Sequence, residues 1–168
     1  MPHGIVREVI PAPSAVVFDL LHDYARRLEW DTLLQAAYLT DGHRQAQCGA
    51  VTVCKGRAHL GGIALKTRYI SFRPPAVAAI RMVNQPPFFD TFAATIRHRD
   101  LPDSSSLVEY IYHFRARPRW LRWILHPLMQ RLFAWETRKR LRALKQYFAR
   151  NADCGTTGIG SRQSSGGA

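Results

Sequence analysis

Between residues 50 and 117, apolar side chains recur at every second position, and Gly or Pro pairs break the run at short intervals. Period two is the signature of a strand with one buried face, and the breaks are hairpin turns. From 50 to 58, Val51, Val53, Lys55 and Arg57 alternate with Ala50, Thr52, Cys54 and Gly56. Gly61-Gly62 turns the chain. Lys66 and Arg68 belong in water, so Ile63, Leu65, Thr67, Tyr69 and Ser71 face inward. After Arg73-Pro74-Pro75, the same logic puts Arg81 out and Ala78, Ile80, Met82 and Asn84 in. After Gln85-Pro86-Pro87, Arg97 and Arg99 go out, and Phe92, Ala94, Ile96 and His98 go in. A polar loop, 100–106, leads to a last run with Glu109, His113 and Arg115 out and Tyr110, Tyr112 and Phe114 in. Residues 5–10 and 33–39 are also extended, which makes about seven strands.

The pattern then changes to a helical period. Arg117-Pro118 ends the last strand, residues 120–125 form one or two helical turns, and Pro127 suits a first helical position. The main helix is expected from there to about Arg150. At 100° per residue, Glu136 projects with Met129, Leu132, Ala143 and Tyr147 toward the sheet, with Arg140 one turn further on. A carboxylate and a guanidinium on an apolar face suit the head group of a ligand, or a plain i,i+4 ion pair. Residues 151–168 are rich in Gly, Ser and Thr and are expected to be a disordered tail on a domain spanning 1–150.

The segment Ile10-Pro-Ala-Pro-Ser-Ala-Val-Val-Phe-Asp-Leu-Leu-His-Asp-Tyr-Ala-Arg-Arg-Leu-Glu-Trp-Asp31 places two short helices after the first strand, the first capped by Ser14. With Thr67-Arg-Tyr-Ile-Ser-Phe-Arg-Pro-Pro, the run to His98 and the closing Arg140-Leu-Arg-Ala-Leu-Lys-Gln-Tyr, it resembles the START-like (SRPBCC) superfamily of polyketide cyclase/dehydrase and lipid-transfer proteins. The resemblance covers residues 3–150. It implies an α+β helix-grip fold: a curved antiparallel sheet of about seven strands, two short helices after the first, and a long C-terminal helix over a cavity. It also implies binding, and transport, of a hydrophobic or amphipathic small molecule such as a lipid, quinone or polyketide.

On that plan, the expected ligand contacts from the sheet are Leu65, Thr67, Tyr69, Ser71, Ile80, Met82, Asn84, Phe92, Ile96, His98, Tyr110, Tyr112 and Phe114. From the helix they are Met129, Leu132, Phe133, Glu136 and Arg140. Alternate hairpins share one end of the sheet, so Trp30, Phe88, Phe89, Trp120 and Trp123 should rim the mouth, with Arg26, Arg27, Arg119 and Arg122 nearby. An enzyme of the same fold, a cyclase or dehydratase, would draw on His98 as base and Tyr110 or Tyr112 to steady an enolate.

Charge and composition bound the remaining classes. Residues 115–150 hold eleven Lys or Arg against one acid, Glu136, so the net +12 resides largely in one segment. That segment suits peripheral contact with an anionic membrane, or docking on RNA or an acidic protein. Of the 24 bases, 20 are Arg, and a solvated helix face accounts for them equally well; no specific nucleic acid is expected. Cys48, Cys54 and Cys154 have no metal-type spacing, and no nucleotide-binding loop or nucleophile elbow occurs, so neither a metal nor a cofactor is expected. The N-terminus lacks a signal-peptide pattern, which points to a cytoplasmic protein.

Overall fold

The computed structural model describes residues 2–58 and 62–156. Seven strands build one sheet: β1 (His3–Ile10), β2 (Leu34–Leu39), β3 (Val51–Gly56), β4 (Ala64–Arg73), β5 (Val77–Met82), β6 (Phe89–Asp100) and β7 (Ser106–Ala116). Their spatial order is β1-β7-β6-β5-β4-β3-β2, and all neighbours are antiparallel. Strands β2 to β7 form a meander, and β1 closes its far side. The chain must therefore cross from one edge of the sheet to the other after β1. Two short helices, α1 (Ser14–His22) and α2 (Arg27–Trp30), make that crossing. After a 3-10 turn at Arg119–Leu121, α3 (Arg122–Thr156) packs along the inner face of the curled sheet. This is the α+β helix-grip architecture.

Local sequence explains the joints. The residue preceding α1 is Pro13, so Ser14 is the first helical residue rather than the cap. The cap comes from β6: the Asp100 carboxylate accepts from the Ser14 N–H at 2.6 Å and from its hydroxyl at 3.0 Å. A carboxylate at a helix N-terminus also opposes the helix dipole favourably. Gly4 faces the Tyr112 ring across the β1–β7 pair. A Cβ there would lie 2.4 Å from that ring. The absent side chain lets Tyr112 lie flat over β1, with its hydroxyl donating to the Gln130 carbonyl of α3 at 3.4 Å.

The main core joins β1, β6, β7, α1 and α3 through Val6, Ile10, Leu20, Ile96, Val108, Phe114 and Leu144. The buried stripe of α3 is Met129, Thr137, Leu141 and Leu144, with Phe133 partly buried among them. It is rotated slightly from the stripe expected around Glu136, which instead flanks it.

Several sequence expectations need correction. Pro127 lies inside α3, which begins five residues earlier at Arg122. The helix also continues beyond Arg150 to Thr156, and the rest of the expected tail falls outside the described residues. A bulge in β4 between Tyr69 and Ser71 breaks the alternation. The extra residue turns Ser71 off the inner face and brings Phe72 in, against Phe18 at 5.2 Å and Tyr69 at 5.3 Å. Asn84 lies past the end of β5, and its amide bonds the backbone of β4, accepting from Lys66 N–H at 2.9 Å and donating to Ala64 C=O at 2.8 Å. Trp30 is buried, not at a rim, with the Arg27 guanidinium 4.4 Å above its ring. Arg26 is also remote from the expected mouth, since it joins Glu29 and the Tyr147 hydroxyl near the other end of α3.

Candidate functional site

A cavity of about 360 Å³ lies between the sheet and α3. Its volume is at the small end of the range for ligand pockets, roughly 300–1,000 Å³. Strands supply Leu65, Thr67, Tyr69, Ile80, Phe92, Ile96 and Tyr110 to its wall. Helix α3 supplies Leu125, Leu128, Met129, Leu132, Phe133, Glu136 and Arg140. The rest of the wall comes from Leu21, His22, Tyr24, Arg27, Leu33 and Cys54, with Leu34, Gly56 and Ile63 beside them.

Most of the expected contacts thus share one cavity, but not all. Met82, Tyr112 and Phe114 are packed in the core beside it rather than lining it. His98 is separated from it as well. Its ring packs edge-on to Phe18 at 5.1 Å, and neither nitrogen has a partner among the described residues. Burial lowers its pKa to about 4. His98 lies away from the cavity and its lowered pKa makes it a weak base, so the pairing of His98 with Tyr110 or Tyr112 is not assembled at the wall.

Another histidine is at the wall. His22 Nδ1 lies 2.7 Å from the Tyr69 hydroxyl, which is 3.3 Å from that of Tyr24. Burial, then repulsion from His98 and Arg27, lowers the His22 pKa well below its ordinary value. Burial likewise raises Tyr69 and pushes Tyr24 up to about 12. All three are neutral at pH 7, forming a chain of uncharged hydrogen-bonding groups. In sequence, His22 had no visible partner, because Tyr69 is brought to it only by the closure of the sheet.

The charged pole is built around Asp31, whose side chain is fully buried. One carboxylate oxygen accepts from Arg140 Nε at 2.8 Å and from Arg27 Nε at 3.1 Å. The other accepts from the Leu33 N–H at 3.3 Å. Arg27 also donates to the Leu21 carbonyl, which fixes its plane. Burial alone would raise the Asp31 pKa, but Arg140, Arg27 and the Leu33 N–H together hold it below the ordinary carboxylate value. Arg140 is disfavoured by burial, yet Asp31 outweighs that and raises its pKa. Arg140 therefore pairs with Asp31, not with Glu136 as helical spacing suggested. Glu136 has no hydrogen bond or ion pair among the described residues. Burial, with a smaller push from Asp31, raises its pKa despite Arg140. Sequence reasoning missed the roles of Arg27 and Asp31. Their i,i+4 spacing on α2 was the one available signal.

The opposite end opens to solvent. Phe88, Leu128 and Leu132 line the cavity and are also exposed, while Phe89 beside them is buried. Phe88 adopts a positive φ of 67°. Its carbonyl accepts from the Arg117 N–H at 3.0 Å, tying the β5–β6 turn to the end of β7. Next along the chain, Trp120 and Trp123 are 75% and 77% exposed. A surface groove close by is lined by Arg115, Arg117, Arg119, Arg122, His126 and Asp90, with Arg122 paired to Asp90 at 3.1 Å. Counting at 1.5 Å per residue, Leu128 and Arg140 are about 18 Å apart along α3, so the charged pole and the mouth are at opposite ends.

No cluster of metal-binding side chains occurs among the described residues, and none of their helices is long and apolar enough to cross a membrane. Cys48 and Cys54 are free thiols, and Cys154 lies where side chains are not described.

A curled antiparallel sheet gripping one long helix over an apolar cavity defines a START-like protein. The chain belongs to the polyketide cyclase / dehydrase and lipid transport family, whose model matches residues 3–149. Among solved structures it is similar to the Zhui aromatase/cyclase from Streptomyces sp. R1128, with 14% identity over 90% of this chain and 95% of that one, at a TM-score of 0.74. It is also similar to a START superfamily protein from Mycobacterium smegmatis, with 9% identity, 88% and 97% coverage and a TM-score of 0.72. The protein XoxI from Bacillus cereus shares 20% identity over 89% and 96% of the two chains, at a TM-score of 0.72. A search of curated proteins finds no match.

Proposed function

We propose that this protein binds a single amphipathic small molecule between sheet and α3 and exchanges it with an anionic membrane surface. The carrying observation is the cavity itself: a largely apolar space with a charged pole at Arg140 and exposed apolar side chains, Phe88, Leu128 and Leu132, at the other end of its helical wall. Affinity would come from burying apolar surface, at roughly 25 cal/mol per Å². The polar groups at the charged pole would set orientation. Native mass spectrometry of the purified protein, followed by extraction of whatever co-purifies, tests the reading. An apolar ligand in the complex is the expected result. A protein that is ligand-free and takes up no apolar fluorophore would refute it.

Membrane exchange is supported by the mouth. Phe88 and Leu128 line the cavity and are exposed, Trp120 and Trp123 are exposed near the start of α3, and Arg115 and Arg119 line the surface groove close by. Aromatic side chains seat at the headgroup level while basic residues meet anionic lipid. Co-sedimentation with vesicles should be strong with anionic lipid and weak with neutral lipid. A Trp120→Ala, Trp123→Ala variant that pellets as well as the parent would sink the membrane contact.

A second reading, cyclase or dehydratase chemistry at the same wall, is favoured by the 2.7 Å contact of His22 with Tyr69. A poly-β-ketone would meet a hydroxyl donor backed by a neutral imidazole. If Tyr69→Phe left turnover of such a substrate intact, that reading would be lost.

A further inference from the structure

We propose that the cavity selects an amphipathic acid, whose anionic head group sits on the Arg140 guanidinium. This deepens the binding function above and rests on it; it names the head group which that function leaves open.

The charge balance carries the argument. Two guanidinium groups, Arg27 and Arg140, share the single carboxylate of Asp31. Counted without Glu136, one positive charge is in excess at this pole of the cavity. Arg27 is held on two sides, by Asp31 and by the Leu21 carbonyl. Arg140 commits only its Nε to Asp31, and its two terminal nitrogens bond nothing among the described residues, although Arg140 lines the cavity. A planar guanidinium with free donors matches a carboxylate in geometry as well as charge. A cationic head would be repelled there, and an alcohol would leave the excess charge unanswered.

Glu136 decides when that charge is available. It lines the same wall one turn before Arg140. Ionised, it cancels the excess and repels an incoming anion. Protonated, it offers an O–H donor to that anion. Binding of an acid is thus coupled to proton uptake, and affinity rises as pH falls through the Glu136 titration. Other groups around the pole hold their charge near neutrality. Tyr110 on β7, Tyr69 on β4, Cys54 on β3 and Tyr24 are raised by burial, His22 on α1 is lowered by it, Asp31 is held low, and Arg140 is raised by Asp31 despite burial.

Titration calorimetry with decanoate, decanol and decyltrimethylammonium, all carrying the same chain, tests the proposal. Decanoate should bind about tenfold tighter than decanol, the gain of one charge-assisted hydrogen-bonded pair. The cation should bind weakest. Decanoate affinity should fall by up to about tenfold per pH unit as Glu136 ionises, with no slope for decanol. Glu136→Gln should remove the slope. Arg140→Met should remove the preference for the acid, with circular dichroism and a thermal melt showing that the variant is folded. Equal affinity of decanol and decanoate in the parent protein would overturn the proposal while leaving the binding function standing. So would an Arg140→Met protein that still prefers the acid, and an unchanged slope in Glu136→Gln would overturn the role of Glu136. Failure of all three probes to bind would overturn the binding function itself.

Discussion

Asp31→Asn should be among the most destabilising isosteric changes available to this protein. The variant keeps the shape and the acceptor for the Leu33 N–H, but it removes the only carboxylate that the Arg27 and Arg140 guanidinium groups share. Removing one partner of a buried ion pair costs about 3–5 kcal/mol, because the other charge is left unanswered. Side-chain exposures of 10% for Arg27 and 19% for Arg140 allow partial hydration, which places the cost at the low end, about 3 kcal/mol. For a domain of this size that is a fall in Tm of about 6–12 °C. Urea melts at neutral pH, with an unchanged m-value, measure it. The sign of the pH dependence is a second check. The folded pKa of Asp31 is depressed, so its contribution is complete above the unfolded value of about 3.9 and is lost as pH falls through the folded one. Parent and variant should therefore converge only in strong acid. A loss under about 1 kcal/mol at pH 7, or a gap that persists at the acid limit, would refute the reasoning.

Three further outcomes follow from buried groups. His98, with its pKa lowered by burial to about 4 against 6.5 in the unfolded chain, is neutral when folded, so stability should fall by about 3 kcal/mol as pH drops from 6.5 to 4. His98→Leu should make that limb shallower in pH-dependent melts, leaving the share of buried His22, and an unchanged limb would contradict the burial argument. Gly4→Ala should cost about 1–3 kcal/mol by displacing the Tyr112 ring, and a neutral result in thermal melts would show that the ring yields freely. Phe72→Ala should lower stability by about 3 kcal/mol while Ser71→Ala changes neither stability nor ligand uptake, since the bulge sets which of the two is inside. The reverse ranking would restore the uninterrupted alternation.

The inner faces of β5, β6 and β7 were legible because each is an unbroken run of alternating side chains whose arginines mark the wet face. Ile80, Phe92, Ile96 and Tyr110 sit at the wall for that reason. The alternation failed at Ser71, where one extra residue reverses the face, and at Asn84, where the strand had already ended. On α3 a 100° wheel put Glu136 near the centre of the buried stripe, but Met129, Thr137 and Leu141 form it. A few tens of degrees of rotation are beyond what composition can fix on a helix so rich in arginine.

By itself the sequence determined the succession of elements, the family and the presence of an apolar interior, because these depend on local periodicity and on patterns contiguous in the chain. Tertiary structure alone decided the chemistry of the interior. Asp31 meets Arg140 across 109 residues, and His22 meets Tyr69 across 47. Neither meeting leaves a local trace: a charge on a short helix reads the same whether it faces water or another charge. Only closure of the sheet around α3 removes water from Asp31. That desolvation converts ordinary surface residue types into a charged pole.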